Sequence, residues 1–429
     1  MARISVVSND LDTRLRIVSG LDGYHDVSAH SWPHSGGDLA LISAHLPDVI
    51  IVDVDVVRMP GGATLLDAAG LASASGKRAH PPAVLVLLNE GEEDRIVQLF
   101  EAGADDYLVK PFDDQTLRAK IDGVQAVRLG LLETSAHDPI AISDEGMILR
   151  SPDLKPGAMT QLGRYRIIGM LGRGGYGVVY RVHDVVLDRH VALKVLPKEM
   201  HDNTEAVARF FREASAISRL HHPNIVEFYE IGSYQSRYYF TMEIVEGRTL
   251  KEIAELEAPL PPRLAARYVA EIAKALGAIN SIGLVHRDIK PENVIVTKDG
   301  RVKLIDFGLV RIRDTAAITS DEDVLGTPYF MCPEYIREAG TPDIRYDLYA
   351  LGVTFFNLLS GEYPFDGKNA AHVMEKHLRC PAPRVSSYQP GVPYVADRVV
   401  ERLLRKDPNL RPQTPEEVLI LLRPLLRAA

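Results

Sequence analysis

Through the first 130 residues, short apolar runs alternate with stretches of helical period. Ile4 to Val7, His25 to Ser28, Val49 to Asp53, Ala83 to Leu88 and Tyr107 to Val109 read as strands. Glu92 to Ala102 and Asp113 to Leu129 carry apolar residues three and four apart, the spacing of a helix that buries one face. Runs such as VIIVD and AVLVLL are apolar on both sides of the chain, which suits strands covered on both faces. Five such strands joined by crossover helices predict a doubly wound α/β domain over residues 1–130, with functional groups beyond the carboxyl ends of the strands.

From 131 to 161 the pattern dissolves into SAHDP, ISDEG and SPDLKPGAMTQ, where Pro and Gly recur without a sustained apolar period, and a linker is expected. Residues 162–245 then read as strands with one helix, Glu205 to Leu220, and residues 246–429 are dominated by helical spacing. A small β-rich lobe thus precedes a larger α-rich one, an α+β bilobal domain over 162–429. A length of 429 residues fits this division, because single cores stop growing at about 250 to 300 residues.

Charge and cysteine content narrow the functional classes. The net charge is −9, and residues 1–130 hold 19 acids against 11 bases, leaving 39 against 38 for the rest. No clustered positive field is present, so nucleic acid is not an expected partner. Cys332 and Cys380 are too few for a disulfide framework and lack metal-ligand spacing. The longest apolar stretch, Tyr349 to Leu359, is short of the ~20 residues that cross a bilayer, and the N-terminus MARISVVSND has no secretory apolar run. A cytoplasmic location without a membrane span is expected. The oligomeric state is not legible.

Candidate chemistry gathers in the second half. Gly172, Gly174 and Gly177 in LGRGGYGVVY fall at G-x-G-x-x-G spacing between two strands. Alone, glycines in a hairpin more often serve a turn with φ > 0, and the flanking strands argue against the dinucleotide version, which opens a helix. Lys194 stands in the apolar strand VALKVL, where it needs an anionic partner, and Glu213 lies on the inward face of the next helix with Phe210 and Ile217. VHRDIKPENVIV packs His286, Arg287, Asp288, Lys290, Glu292 and Asn293 into a polar loop between apolar runs, and the strand RVKLI then delivers Asp306, Phe307 and Gly308.

These residues, in this order from Leu162 to Leu426, resemble the protein-kinase signature set, in the style of the eukaryotic-like Ser/Thr kinases of bacteria. The resemblance implies that the Gly-rich loop covers the ATP phosphates, that Lys194 holds the α and β phosphates while paired with Glu213, and that Asn293 and Asp306 bind Mg2+, with Mn2+ able to substitute. It makes Asp288 the base or orienting group for a protein hydroxyl, with Thr327 supporting Asp288 and Lys290. Lys290 marks the serine/threonine branch. Val179, Ala192 and Ile295 would sandwich the adenine, and main-chain groups of Glu243 and Val245 would bond it, with Met242 behind. Ordinary core packing would explain the three apolar residues almost as well. Asp347 should brace the catalytic loop, and Arg411 should pair with Glu334. Thr319 and Ser320 are expected phosphorylation sites in the activation segment. Many kinases of this style carry a membrane span after the kinase domain; this sequence ends near the expected last helix. A pseudokinase scaffold and a metabolic kinase are the competing classes. All of Lys194, Glu213, Asp288, Asn293 and Asp306 are retained, which opposes the scaffold, and the activation-segment match opposes the metabolic kinase.

The first half, with PDVIIVD ending at Asp53 and AGADDYLVKPF holding Lys110, resembles the receiver domains of bacterial response regulators. The resemblance makes Asp53 a phosphoacceptor. The acidic pair after the first strand is, however, replaced by Ser8 and Asn9 with Asp10 one place late, and the hydroxyl residue ending the fourth strand is Leu88. Fewer carboxylates weaken a site for a hard cation. A degenerate receiver that binds a signalling partner is expected, against the alternative that Asp10 swings in to rebuild the metal site.

Overall fold

The structure is a computed structural model that describes residues 2–31, 47–57, 82–92, 95–128, 140–142, 148–150, 161–174, 177–196, 207, 211, 214–234, 237–306, 328–337 and 341–427. It divides into two compact units, one of residues 1–215 with 229–244 and one of residues 216–228 with 245–429.

The first unit opens with five parallel strands, β1 (Arg3–Val7), β2 (Asp26–His30), β3 (Val49–Asp53), β4 (Ala83–Leu88) and β5 (Asp106–Val109), in the order β2-β1-β3-β4-β5. Every residue of β3 and β4 is buried, as their unbroken apolar runs require. Helices α1 (Leu11–Leu21), α2 (Ile96–Glu101) and α3 (Asp114–Arg128) belong to this domain. Ile17 and Leu21 of α1 and Leu117 and Ile121 of α3 close one core with Ile4, Val6, Ile51, Leu85 and Leu87. Within the expected linker, Ile140–Ile142 (β6) and Ile148–Arg150 (β7) form an antiparallel ladder.

A six-stranded sheet follows, ordered β12-β13-β11-β10-β9-β8. Its strands are β8 (Gln161–Leu162), β9 (Tyr165–Gly174), β10 (Gly177–Asp184), β11 (Arg189–Val195), β12 (Phe228–Tyr234) and β13 (Arg237–Met242). Tyr165, Ile167, Tyr180, Val182, Val191, Leu193 and Tyr239 pack on one face of it.

The second unit holds a three-stranded sheet, β14 (Gly247–Thr249), β15 (Val294–Thr297) and β16 (Val302–Leu304), amid helices. Helix α4 (Leu250–Glu257) starts at a capping box in which the Thr249 hydroxyl accepts from the Glu252 N–H and the Glu252 carboxylate accepts from the Thr249 N–H. The long helices are α5 (Pro262–Ser281), α6 (Ile344–Ser360), α7 (Ala370–Arg379), α8 (Tyr394–Leu403) and α9 (Pro415–Arg427). All of α6 but Arg345 and Ser360 is buried, so it is the core helix. Gly352 lets α8 approach: a Cβ there would lie 2.6 Å from the Leu403 Cβ, closer than van der Waals contact permits. Among the described residues no helix is long and apolar enough to cross a membrane.

Candidate active site

In the second unit the chain leaves α5 and enters a polar loop anchored from below by α6. The Asp347 carboxylate, buried in α6, accepts the N–H of His286 and the N–H of Arg287, each at 2.8 Å. Burial pushes this carboxyl up to about 7, while the two N–H donors favour its charged form. Between these anchors and β15, Arg287 takes φ +66°, a left-handed conformation uncommon for a residue with a side chain. Backbone strain of this kind persists where the surroundings over-determine it, as the paired bonds to Asp347 do here.

The turn presents Asp288, which is buried, with its N–H 3.3 Å from His286 Nδ1. Asn293 Nδ2 donates to the Asp288 carbonyl at 2.7 Å and to Asp288 Oδ2 at 2.8 Å. Lys290 Nζ lies 2.9 Å from the same Oδ2. The carboxylate is therefore fixed in direction and kept beside a cation. A cavity of about 40 Å³ opens against Asp288 and Lys290, lined also by Phe330, Met331 and Tyr335. Asn293 sits next to Asp306 because the Ile305 N–H donates to the Asn293 carbonyl at 2.8 Å. Asp306 itself has φ +54°. With Nδ2 turned to Asp288, the Asn293 amide oxygen remains, with the Asp306 carboxylate, as an oxygen donor of the kind that a magnesium ion takes. The family-implied metal thus fits the residues present.

Behind this loop, Arg411 grips Glu334 bidentately: NH1 to Oε1 at 2.5 Å and NH2 to Oε2 at 2.7 Å, with both residues buried. Removing one partner of such a pair costs about 3–5 kcal/mol, because the other charge is left uncompensated. Asn224, which sequence reasoning passed over, ties β16 in place by donating to the Val302 carbonyl and accepting the Leu304 N–H, both at 2.8 Å.

In the first unit, β9 and β10 are paired out to Gly174 and Gly177, with Val179 opposite Gly172. A Cβ placed on Gly172 would meet nothing within 4 Å, so this stretch of backbone borders open space. Val179 stands opposite Lys194 on β11, and Ala192 opposite Met242 on β13. Lys194 is 3% exposed, with Nζ 6.0 Å from the Phe240 ring centroid. Glu243 follows β13 in irregular chain, while in the second unit Val245 is irregular and Ile295 lies on β15, opposite Thr249 and Lys303. Glu213, Thr319, Ser320 and Thr327 lie outside the described residues.

At the carboxyl ends of the parallel strands, Asp53 is buried and receives Ser8 Oγ at 2.9 Å and Lys110 Nζ at 3.0 Å, both on Oδ2. Asp10 does something else. It is the N-cap of α1, accepting the N–H groups of Asp12 and Thr13 and the Thr13 hydroxyl, and that hydroxyl above all holds its carboxyl below the usual range. Leu88 is fully buried at the end of β4. Sequence reasoning missed Ser8 as the direct partner of Asp53. It also missed the cap, although an Asp immediately before a helical run is the ordinary N-cap signal.

A buried carboxylate braced from a core helix in the second unit and, in the first, a buried strand lysine next to a glycine hairpin are features that the protein-kinase resemblance leads one to expect, and a receiver-type parallel sheet precedes them. Residues 165–420 match the protein kinase domain and residues 4–122 the response regulator receiver domain, and the chain belongs to the protein kinase family. It is 38% identical to the serine/threonine-protein kinase PrkC of Bacillus subtilis over 256 residues, 60% of this chain and 39% of that one. It is 38% identical to PknL of Mycobacterium tuberculosis over 245 residues, 57% of this chain and 61% of that one. The chain spans about two fifths of the length of PrkC and of the probable serine/threonine-protein kinase PknB of Lactococcus lactis. Its fold is similar to the crystal structure of the PknI kinase domain of Mycobacterium tuberculosis, with a TM-score of 0.50 at 29% identity, covering 62% of this chain and 96% of that one.

Proposed function

We propose that the chain is a serine/threonine protein kinase that transfers the γ-phosphoryl group of ATP to protein hydroxyls, with receiver-type regulation from residues 1–130, a linker at 131–161 and a catalytic domain at 162–429. The observation that carries this reading is the fixed Asp288 carboxylate with Lys290 and Asn293 on one oxygen. Asp288 accepts the hydrogen bond of the substrate hydroxyl and aligns it for attack, then takes its proton as the new P–O bond forms and the bond from the γ-phosphorus to the bridging oxygen breaks, releasing ADP. Lys290 offsets charge on the transferring phosphoryl oxygens, aided by Thr327. Lys194, held by Glu213, fixes the α and β phosphates beneath the loop of Gly172, Gly174 and Gly177. Val179, Ala192 and Ile295 enclose the adenine, and Glu243 and Val245 bond it through their main chain. Asn293 and Asp306 hold the divalent ion, Mg2+ or Mn2+, which neutralises phosphate charge when bound. Protein substrates are the partners.

Asp288→Asn is the test. It keeps the shape and the bond network but removes the proton acceptor, so kcat should fall about 10²-fold or more while the KM for ATP stays within about twofold. Near-normal turnover would contradict the assignment. Phosphopeptide mapping after the same incubation should find phosphate on Thr319 or Ser320, where its charge would attract Arg287. A map clear of phosphate from Thr315 to Thr327 would remove that part of the proposal.

For the receiver domain, the reading is a degenerate module that serves partner contact. It is supported by Asp10 being spent on capping α1 while Ser8 faces Asp53.

A further inference from the structure

Residues 1–215 and 229–244 are one compact unit, so the receiver domain and the small lobe pack together, and the chemistry of their junction is specific. On the receiver side stand β5 and α3. Lys120 of α3 lies 2.8 Å from Asp106 of β5 and 3.5 Å from Glu230 of β12. Glu230 in turn holds Arg164 at 2.7 Å, and Arg164 reaches back to the Ala119 carbonyl of α3 at 3.1 Å and to Asp184 of β10 at 3.1 Å. Five charged side chains thus join in one network that crosses the junction twice, with Lys120, Arg164 and Asp184 buried and Asp106 and Glu230 nearly so. Buried charges are costly unless paired, and their pairing rewards one register over others. Gly123 completes the fit: a Cβ there would lie 3.0 Å from an Arg164 guanidinium nitrogen and 3.2 Å from its Cδ.

An aromatic cluster lies beside the network. Phe211 is fully buried, with its ring 6.2 Å from Phe100 of α2, 6.1 Å from Tyr107 of β5 and 5.3 Å from Tyr238 of β13. Phe211 is helical, two residues before Glu213. Strand β5 therefore touches this helix through Tyr107, and the residue that follows the strand is Lys110, the partner of Asp53.

We propose that the β5–α3 face of the receiver is a docking surface for the small lobe of its own chain and that, by packing on Phe211, it positions the helical segment expected from the sequence to carry Glu213. The receiver then acts as a built-in positioning element for the partner of Lys194. The kinetic consequence rests on the kinase reading; the docking does not.

The test uses the full chain with Phe100→Ala, which removes one ring from the receiver side, and Gly123→Leu, which wedges α3 away from Arg164. Amide hydrogen exchange over residues 205–220 should accelerate about fivefold or more in both, the low end of ordinary coupling between sites, while exchange in β3 and β4 stays as in the wild type. The KM for ATP should rise by a similar factor with a smaller change in kcat. Should Gly123→Leu disturb β3 and β4, Phe100→Ala decides alone. Faster exchange over 205–220 in a chain without phosphotransfer would uphold the docking and remove the kinase reading. Unchanged exchange and unchanged KM in a folded Phe100→Ala would overturn the proposal.

Discussion

Asp53 and Asp10 show how much one residue's neighbours decide. Both are carboxylates at the strand ends, yet Asp53 meets a lysine and a serine, whereas Asp10 is held by two N–H groups and a hydroxyl as a helix cap. Moving Asp10 to Asp53 would sacrifice the cap, at a cost of about 1 kcal/mol, to rebuild a metal site still short of one acid. A small phosphodonor with magnesium should therefore leave Asp53 largely unmodified. Intact-mass measurement checks this, and stoichiometric phosphate that disappears in Asp53→Asn would show a working receiver. The departures at Ser8, Asn9 and Leu88 were legible in the sequence. What replaced them was not, because Ser8 and Asp53 are neighbours only after β1 and β3 have paired.

At the scale of elements, legibility followed burial. Val49–Asp53 and Ala83–Leu88 were readable to the residue because a strand buried on both faces writes an unbroken apolar run. β2 starts at Asp26 and runs to His30, shifted from the expected His25 to Ser28, because its edge position leaves it only partly buried and its pattern weak. The β6–β7 ladder was missed within the linker, since three-residue strands are too short to show a period. Of the inward face expected around Glu213, Ile217 is buried, as are Val207, Phe211 and Ala214, while Phe210 and Glu213 lie outside the described residues.

Helix α7 carries a prediction of its own. His377 is fully buried, its Nδ1 2.8 Å from the Tyr349 hydroxyl and its ring 4.8 Å from that of Phe365; burial, then the charge of Lys406, lowers its pKa to about 3 from 6.5. Between those values the unfolded chain binds a proton that the folded chain refuses. Stability should therefore fall as the pH drops from 6.5 toward 3, with a slope approaching about 1.4 kcal/mol per pH unit from this group. Urea unfolding at pH 6.5 and 5, compared with His377→Gln, isolates the effect. Equal pH dependence in the two proteins would mean that His377 does not stay neutral in the fold.

The whole molecule was legible in its parts and not in their junction. The kinase signature is local, strung along loops and strands whose spacing survives in the sequence, so Asp288, Asn293 and Asp306 could be named before any coordinate. The Asp347 brace and the Arg411–Glu334 pair were reachable through family resemblance, and both contacts are present. Lys120, Arg164 and Glu230 carry no such mark, being separated by 44 and 66 residues and charged like any surface residue until the receiver and small lobe come together. Their meeting in one unit joins what the sequence presents as a string of domains.

Identifying the product tests the central claim most directly. The full chain should be incubated with γ-labelled ATP, magnesium and a hydroxyl-rich protein substrate, and the labelled amino acids separated after acid hydrolysis. Lys290 beside Asp288 and the fixed carboxylate predict phosphoserine and phosphothreonine, no phosphotyrosine, and loss of both products with Asp288→Asn. Label absent from the wild type, or equal in the variant, would contradict phosphoryl transfer by this site.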